Sequence, residues 1–167
     1  DLSGIVDIAY FASNDDDDEN AILMVNFLIE NASTPEEKIA GYQHLMKIKL
    51  KTASEKEYPK IQKSYEDLFN EFRNGKKTYQ LQLDYNYFLA FQNNKKNLAV
   101  SNLKSFSKQP LSRYQKARIK MLLADILVFD EKFNQALIYY SQIQQEVKGD
   151  LLAQEARFKV AKTSYFN

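Results

Sequence analysis

Apolar and small residues recur at the spacing of one helix face through residues 117–148. Leu123, Ala124 and Leu127 share a face of a first helix, with Ile119 and the stem of Lys120 beside them. Phe133, Ala136, Leu137, Tyr140 and Ile143 share a face of a second. Only Phe129-Asp130-Glu131-Lys132 separates the two, too short a connection for anything but an antiparallel return. Helices approach closely only where the side chains between them are small. Ala124 and Ala136 are those small residues, flanked by the rings of Phe133 and Tyr140. Lys148-Gly149-Asp150 breaks the pattern, Asp150 can cap a third helix, and the periodicity resumes to the end of the chain.

Looser versions of the same pattern run upstream. Residues 5–12 read as a short helix, followed by the acidic stretch 14–19, which favours the positive end of the next helix. Residues 21–29 are apolar almost all round, which predicts a helix covered on more than one side. Thr34, Pro35 and Glu37 form a strong start, with a capping box and a proline at the first helical position. That helix carries Ile39, Tyr42, Leu45, Met46 and Leu50 and runs to about Ala53 or beyond. Pro59 is expected to push Tyr58 out of helical backbone and to open a helix bearing Ile61, Tyr65, Leu68, Phe69 and Phe72, ended by Asn74-Gly75. An aromatic helix over 78–92 turns at Asn93-Asn94-Lys95-Lys96 into a return helix lined by Leu98, Ala99, Leu103 and Phe106. Ser112 and Gln115 form a second capping box.

The order Leu123-Ala124, Phe133, Ala136, Tyr140 resembles the tetratricopeptide repeat, a helix–turn–helix unit of about 34 residues. Val160-Ala161 begins the signature again. The match is degenerate: Ile143 stands where a small residue is usual, and no proline closes the unit near Lys148. The resemblance implies an all-α solenoid, a right-handed superhelix of antiparallel hairpins with eight to nine helices, forming one domain over 1–167. Its hairpins are expected at 35–73, 77–107 and 112–147, preceded by a partial unit of helices 4–13 and 17–31. Residues 151–167 start a further repeat, so the natural chain is expected to continue. Leu123, Ala124, Phe133, Ala136, Tyr140 and Ala161 take the packing positions. The family's concave groove, carried over by register, falls on Arg118, Met121, Asp125, Val128 and Phe129, then on Glu155, Phe158, Lys162, Tyr165 and Phe166. In the aromatic unit it falls on Asp84, Phe88 and Phe91. Phe158 and Met121 stand where a carboxylate clamp would need a cation, so chaperone tails are not the expected ligand. The other reading of the chain is an ordinary helical bundle whose alanines are simply good helix formers.

Composition narrows the chemistry. The 167 residues carry a net charge of +1, with 44% hydrophobic residues and no cysteine, and the mean hydropathy is −0.52. Disulfides, zinc-thiolate sites and cysteine nucleophiles are therefore excluded, while the compartment is left open. No apolar run approaches the roughly 20 residues of a membrane-spanning helix, and no signal peptide is visible. The Asp15–Asp18 stretch lacks the glycine and glutamate of a calcium loop, with Ala21 and Phe27 at those places. His44 is the only histidine, so neither a triad nor a histidine metal cluster can be built. Gly-rich phosphate loops are absent. No metal, no cofactor and no enzymatic activity is expected.

Two basic patches, Lys47, Lys49, Lys51, Lys56 and Lys60, and Lys95, Lys96, Lys104 and Lys108, lie near aromatic rings and would suit single-stranded nucleic acid. A helix surface balancing Glu55, Glu57 and Glu66 is the preferred account. The expected function is a protein-interaction scaffold that binds a peptide or partner protein on the concave face, its identity not specified by these residues. The alternative is a structural or regulatory arm of a larger protein whose activity lies outside these residues.

Overall fold

The computed structural model describes residues 18–167. These residues form eight α-helices and one 3-10 turn, with no strand among them, so the fold is all-α. The expected helix at 4–13 and most of the acidic stretch lie outside the described residues. The chain divides into two compact units, Asp1–Leu81 and Gln82–Asn167.

In the first unit, α1 (Asp18–Glu30) and α2 (Pro35–Thr52) form a hairpin. Ala21, Val25 and Ile29 of α1 bury against Leu45 and Ile48 of α2, with Ile22, Met24 and Tyr42 packed around them. Gly41 sets their distance: a Cβ there would lie 2.6 Å from Cγ1 of Ile29 and 2.7 Å from Cδ2 of Leu28. The Thr34 hydroxyl caps α2 by accepting from the Glu37 N–H, as expected, but the Glu37 carboxylate reaches Ser33 N–H, one residue before the cap. The cover on more than one side expected of α1 is not supplied by the described residues. Leu23 and Phe27 stay exposed because, among the described residues, only α2 packs on this helix.

Helix α2 stops at Thr52, where Ala53 turns extended, and a 3-10 turn, Glu55–Glu57, leads into α3 (Tyr58–Phe72). Tyr58 is helical, at φ −58° and ψ −40°, contrary to the expected effect of Pro59. The 3-10 turn supplies the reason: Tyr58 N–H already donates to Glu55 O, so the proline sits in a first turn that needs no N–H from it. Ile61, Tyr65 and Leu68 of α3 are buried. Lys38 of α2 lies over the Phe72 ring, 5.9 Å from its centroid, and pairs with Glu71 at 3.3 Å.

The second unit takes most of α4 (Tyr79–Phe91), with α5 (Lys96–Phe106), α6 (Arg113–Phe129), α7 (Phe133–Glu146) and α8 (Leu151–Phe166). Asn102 of α5 donates to Asn86 Oδ1 of α4 at 3.0 Å. Ser112 and Gln115 form the expected capping box on α6, and Asp150 caps α8 through Leu152 N–H at 2.8 Å. Helix α6 is wrapped by α5, α7 and α8, and Ile119, Ala124 and Ile126 lose all contact with water. Each such isoleucine contributes about 1.5–3 kcal/mol.

The turns of the α4–α5 and α6–α7 hairpins share two features, although the first is one residue longer. Each turn has one residue in left-handed backbone, Asn94 at φ 54° and Glu131 at φ 58°. Each is closed by a following lysine N–H donating back into the first helix, Lys95 to Leu89 O and Lys132 to Leu127 O, both at 2.8 Å. The first buried alanine after each turn, Ala99 or Ala136, has no exposed surface. A glutamate in left-handed backbone is strained relative to glycine. Glu131→Gly is therefore expected to raise the unfolding free energy by about 0.5–1 kcal/mol; unchanged or lower stability in urea titration would show that the turn is not strained.

Candidate functional site

One group of exposed rings in the second unit lies where α4 and α6 end. Tyr87 and Phe91 lie one helical turn apart on α4, and their ring centroids are 4.7 Å apart. Phe91 meets Phe129, the last residue of α6, edge-on at 5.2 Å. Phe91 is half-buried, while Tyr87 and Phe129 are 54% and 55% exposed. Rings in mutual contact yet open to water form a ready apolar anchor site, since aromatic side chains bring much contact area at little entropy cost.

Lys96 fixes one edge of this row. Its ammonium sits 5.2 Å from the Phe129 centroid and 3.0 Å from Asp130, which also pairs with Lys132 at 3.1 Å. A lysine at the first position of α5 opposes the helix dipole, and Asp130 offsets that. Hydrogen bonds from Lys96 and then Lys132 hold the Asp130 carboxyl below the ordinary carboxylate range. It is therefore ionised at neutral pH and keeps Lys96 against the ring. Folded-state stabilisation from a depressed carboxyl is present above its unfolded value and fades as pH falls through the folded one, so the clamp loosens only in acid.

The groove residues expected from register separate into distinct environments. Phe129 and Phe91 join the aromatic row, and Val128 and Arg118 are half-buried, Arg118 with a partner of its own. Phe88 is 1% exposed and Met121 6% exposed. Both are core residues, a correction whose cause for Met121 is the cover given to α6 by three helices. Asp84 is half-buried and partnered. Tyr87 and Lys96 were not among the expected residues; the i, i+4 aromatic pair of α4 was the available signal.

Asp125 proves to be a junction rather than a groove carboxylate. It accepts from the Tyr140 hydroxyl of α7 at 2.6 Å and from Lys159 of α8 at 2.9 Å to each oxygen. Burial, and then the bond to Asp125, raises the Tyr140 hydroxyl above the ordinary phenol range, so it stays a donor. Glu155 is exposed and pairs with Lys159 at 3.2 Å. Phe158, Lys162, Tyr165 and Phe166 are exposed on α8, with Tyr165 and Phe166 edge-to-face at 5.4 Å.

Among the packing residues, Leu123, Ala124, Ala136 and Tyr140 are buried and Phe133 is half-buried. Ala161 is exposed instead of packed, because no described helix lies over that face of α8. No group of acidic and histidine side chains among the described residues could hold a metal ion, and no described helix is long and apolar enough to cross a membrane. Comparison with known proteins adds no relative: no family model, curated protein or solved structure matches the chain.

Proposed function

We propose that this protein is a scaffold of tetratricopeptide-like helical hairpins that binds a protein or peptide partner through the aromatic row of Tyr87, Phe91 and Phe129. The observation that carries this reading is the contact of three rings, two of them more than half exposed, across the ends of α4 and α6. A side chain kept only for packing is normally covered, whereas rings that pack on one another in the open stay available to an apolar anchor of a ligand. The repeat reading is supported by the left-handed residue in the turn of both the α4–α5 and α6–α7 hairpins and by the fully buried alanine that follows each. The role is one of binding, with no chemical step assigned to any residue.

The double variant Tyr87→Ser with Phe129→Ser tests it. Both side chains are over half exposed, so stability is expected to change by no more than about 0.5 kcal/mol for each substitution. Affinity capture from an extract of the native cell, with mass spectrometry, is expected to retain a partner on the parent protein and lose it on the variant. The captured partner should then bind the variant at least about tenfold more weakly, the cost of losing one or two anchors. Identical partner sets on both proteins would reject the row as the binding site. Retention of single-stranded nucleic acid instead, released steeply by salt, would reject a protein ligand.

A further inference from the structure

We infer that the aromatic row of Tyr87, Phe91 and Phe129 takes a proline-rich segment of its partner, held in polyproline II conformation. The inference rests on the reading of the row as the binding site and names the chemistry of what it binds.

The shape of the row favours a thin, ridged ligand. The rings of Tyr87 and Phe91 are inclined at 48° and those of Phe91 and Phe129 at 62°, so the row is corrugated rather than flat. A nucleobase stacks on a flat ring face, whereas prolines seat their compact, puckered rings in aromatic-lined grooves. From the Tyr87 centroid to the Phe129 centroid the row spans at most about 10 Å, close to the roughly 9 Å of one three-residue turn of polyproline II. Prolines three residues apart therefore meet its two ends. Tyr87, Phe91, Phe129 and Lys96 are all large, and helix axes come close only over small residues, so the row gives a bound helix no close approach.

Polarity identifies the occupant further. A chain laid over the row buries part of its backbone, and each buried N–H or carbonyl then needs a partner. The phenyl rings of Phe91 and Phe129 accept no strong hydrogen bond, and Lys96 only donates. Asp130, next to Phe129 in the chain, is already taken by Lys96 and Lys132. Tyr87 is 54% exposed, and its hydroxyl has no hydrogen-bond partner among the described residues, so it is open to donate to a carbonyl. The row thus serves carbonyls and leaves N–H groups unmet. Proline carries the carbonyl and lacks the N–H. A polyproline II segment has no internal hydrogen bonds, so its carbonyls are open to a donor, and it arrives already ordered. An α-helix uses its carbonyls internally and offers Tyr87 no backbone acceptor. A strand of ordinary residues brings N–H groups that the rings cannot meet.

The probe is a labelled peptide of nine prolines, read by fluorescence anisotropy against the 167-residue chain. Saturable binding is expected. Phe129→Ser is expected to weaken it about tenfold or more, through loss of an anchor. Tyr87→Phe keeps the ring and removes the hydroxyl, and is expected to weaken it about threefold to tenfold, as loss of one hydrogen bond does. Both side chains are over half exposed, so unchanged circular dichroism verifies the fold. A glycine–serine peptide of equal length, which restores the N–H groups, is expected not to bind. The proposal is overturned if the parent shows no saturable binding, if Tyr87→Phe binds equally well, or if an amphipathic helical peptide displaces the prolines at lower concentration. If the proline peptide fails while Tyr87→Ser with Phe129→Ser still loses the captured partner, the row stands as the binding site and only its assignment to proline falls. Partner sets unchanged in that double variant reject both.

Discussion

Replacing Asp125 by alanine is expected to lower the unfolding free energy by about 2–3 kcal/mol. The carboxylate joins three helices, taking the Tyr140 hydroxyl of α7 and the Lys159 ammonium of α8. Its side chain is 29% exposed, so water screens the attraction to Lys159, and that pair contributes no more than about 1 kcal/mol. The larger cost is Tyr140. Its side chain is 2% exposed, and without Asp125 a buried hydroxyl loses its acceptor, at about 1–3 kcal/mol. Tyr140→Phe keeps the ring and removes the hydroxyl, and should cost about 1 kcal/mol. In that background Asp125→Ala should cost at least about 1 kcal/mol less than it does alone. Urea titrations of the four proteins measure the cycle, and additive losses would show that the Tyr140 bond contributes nothing. For the same reason, charge reversal at Asp125 perturbs the fold and does not report on partner binding.

Gly41→Leu is expected to cost about 3 kcal/mol, the upper part of the range for overpacking a core. Any Cβ at this position would meet Ile29 and Leu28 inside van der Waals distance, and a leucine adds three carbons beyond it. Gly41→Ala separates two opposing terms. Helix propensity favours alanine by about 1 kcal/mol, while the overlap with Cγ1 of Ile29 cannot be relieved by turning a terminal methyl. A net loss near 1 kcal/mol is expected, as repacking costs about 1–3 kcal/mol. If thermal and urea unfolding show Gly41→Leu as stable as the parent, α1 and α2 do not approach as closely as described.

The aromatic row was half legible. Phe91 and Phe129 stood out as ring residues near helix ends, yet Phe88 was equally prominent in the same stretch and lies in the core. Tyr87 and Phe91 share one side of α4 while Phe88 turns to another, and nothing local says which side is open. Asp125 failed as a groove residue for a related reason. Its partners lie 15 and 34 residues away, beyond any local pattern. Lys96 was visible only as part of a basic patch; its contact with Phe129 and Asp130 depends on two turns meeting.

By itself the sequence determined that the chain is helical and where most helices start and stop. Those features are written in neighbouring residues: the side-chain cap at Thr34, the capping box at Ser112, the aspartate cap at 150, the short turns, and apolar residues at helical spacing. Even there, Tyr58 obeyed the 3-10 turn before it rather than the proline rule. Only the tertiary structure decided which face of each helix is covered. Ala124 and Ala161 occupy the same place in the pattern, yet one is sealed and the other open. Burial depends on which distant helices pack alongside, and a residue's own neighbours in sequence do not contain that information.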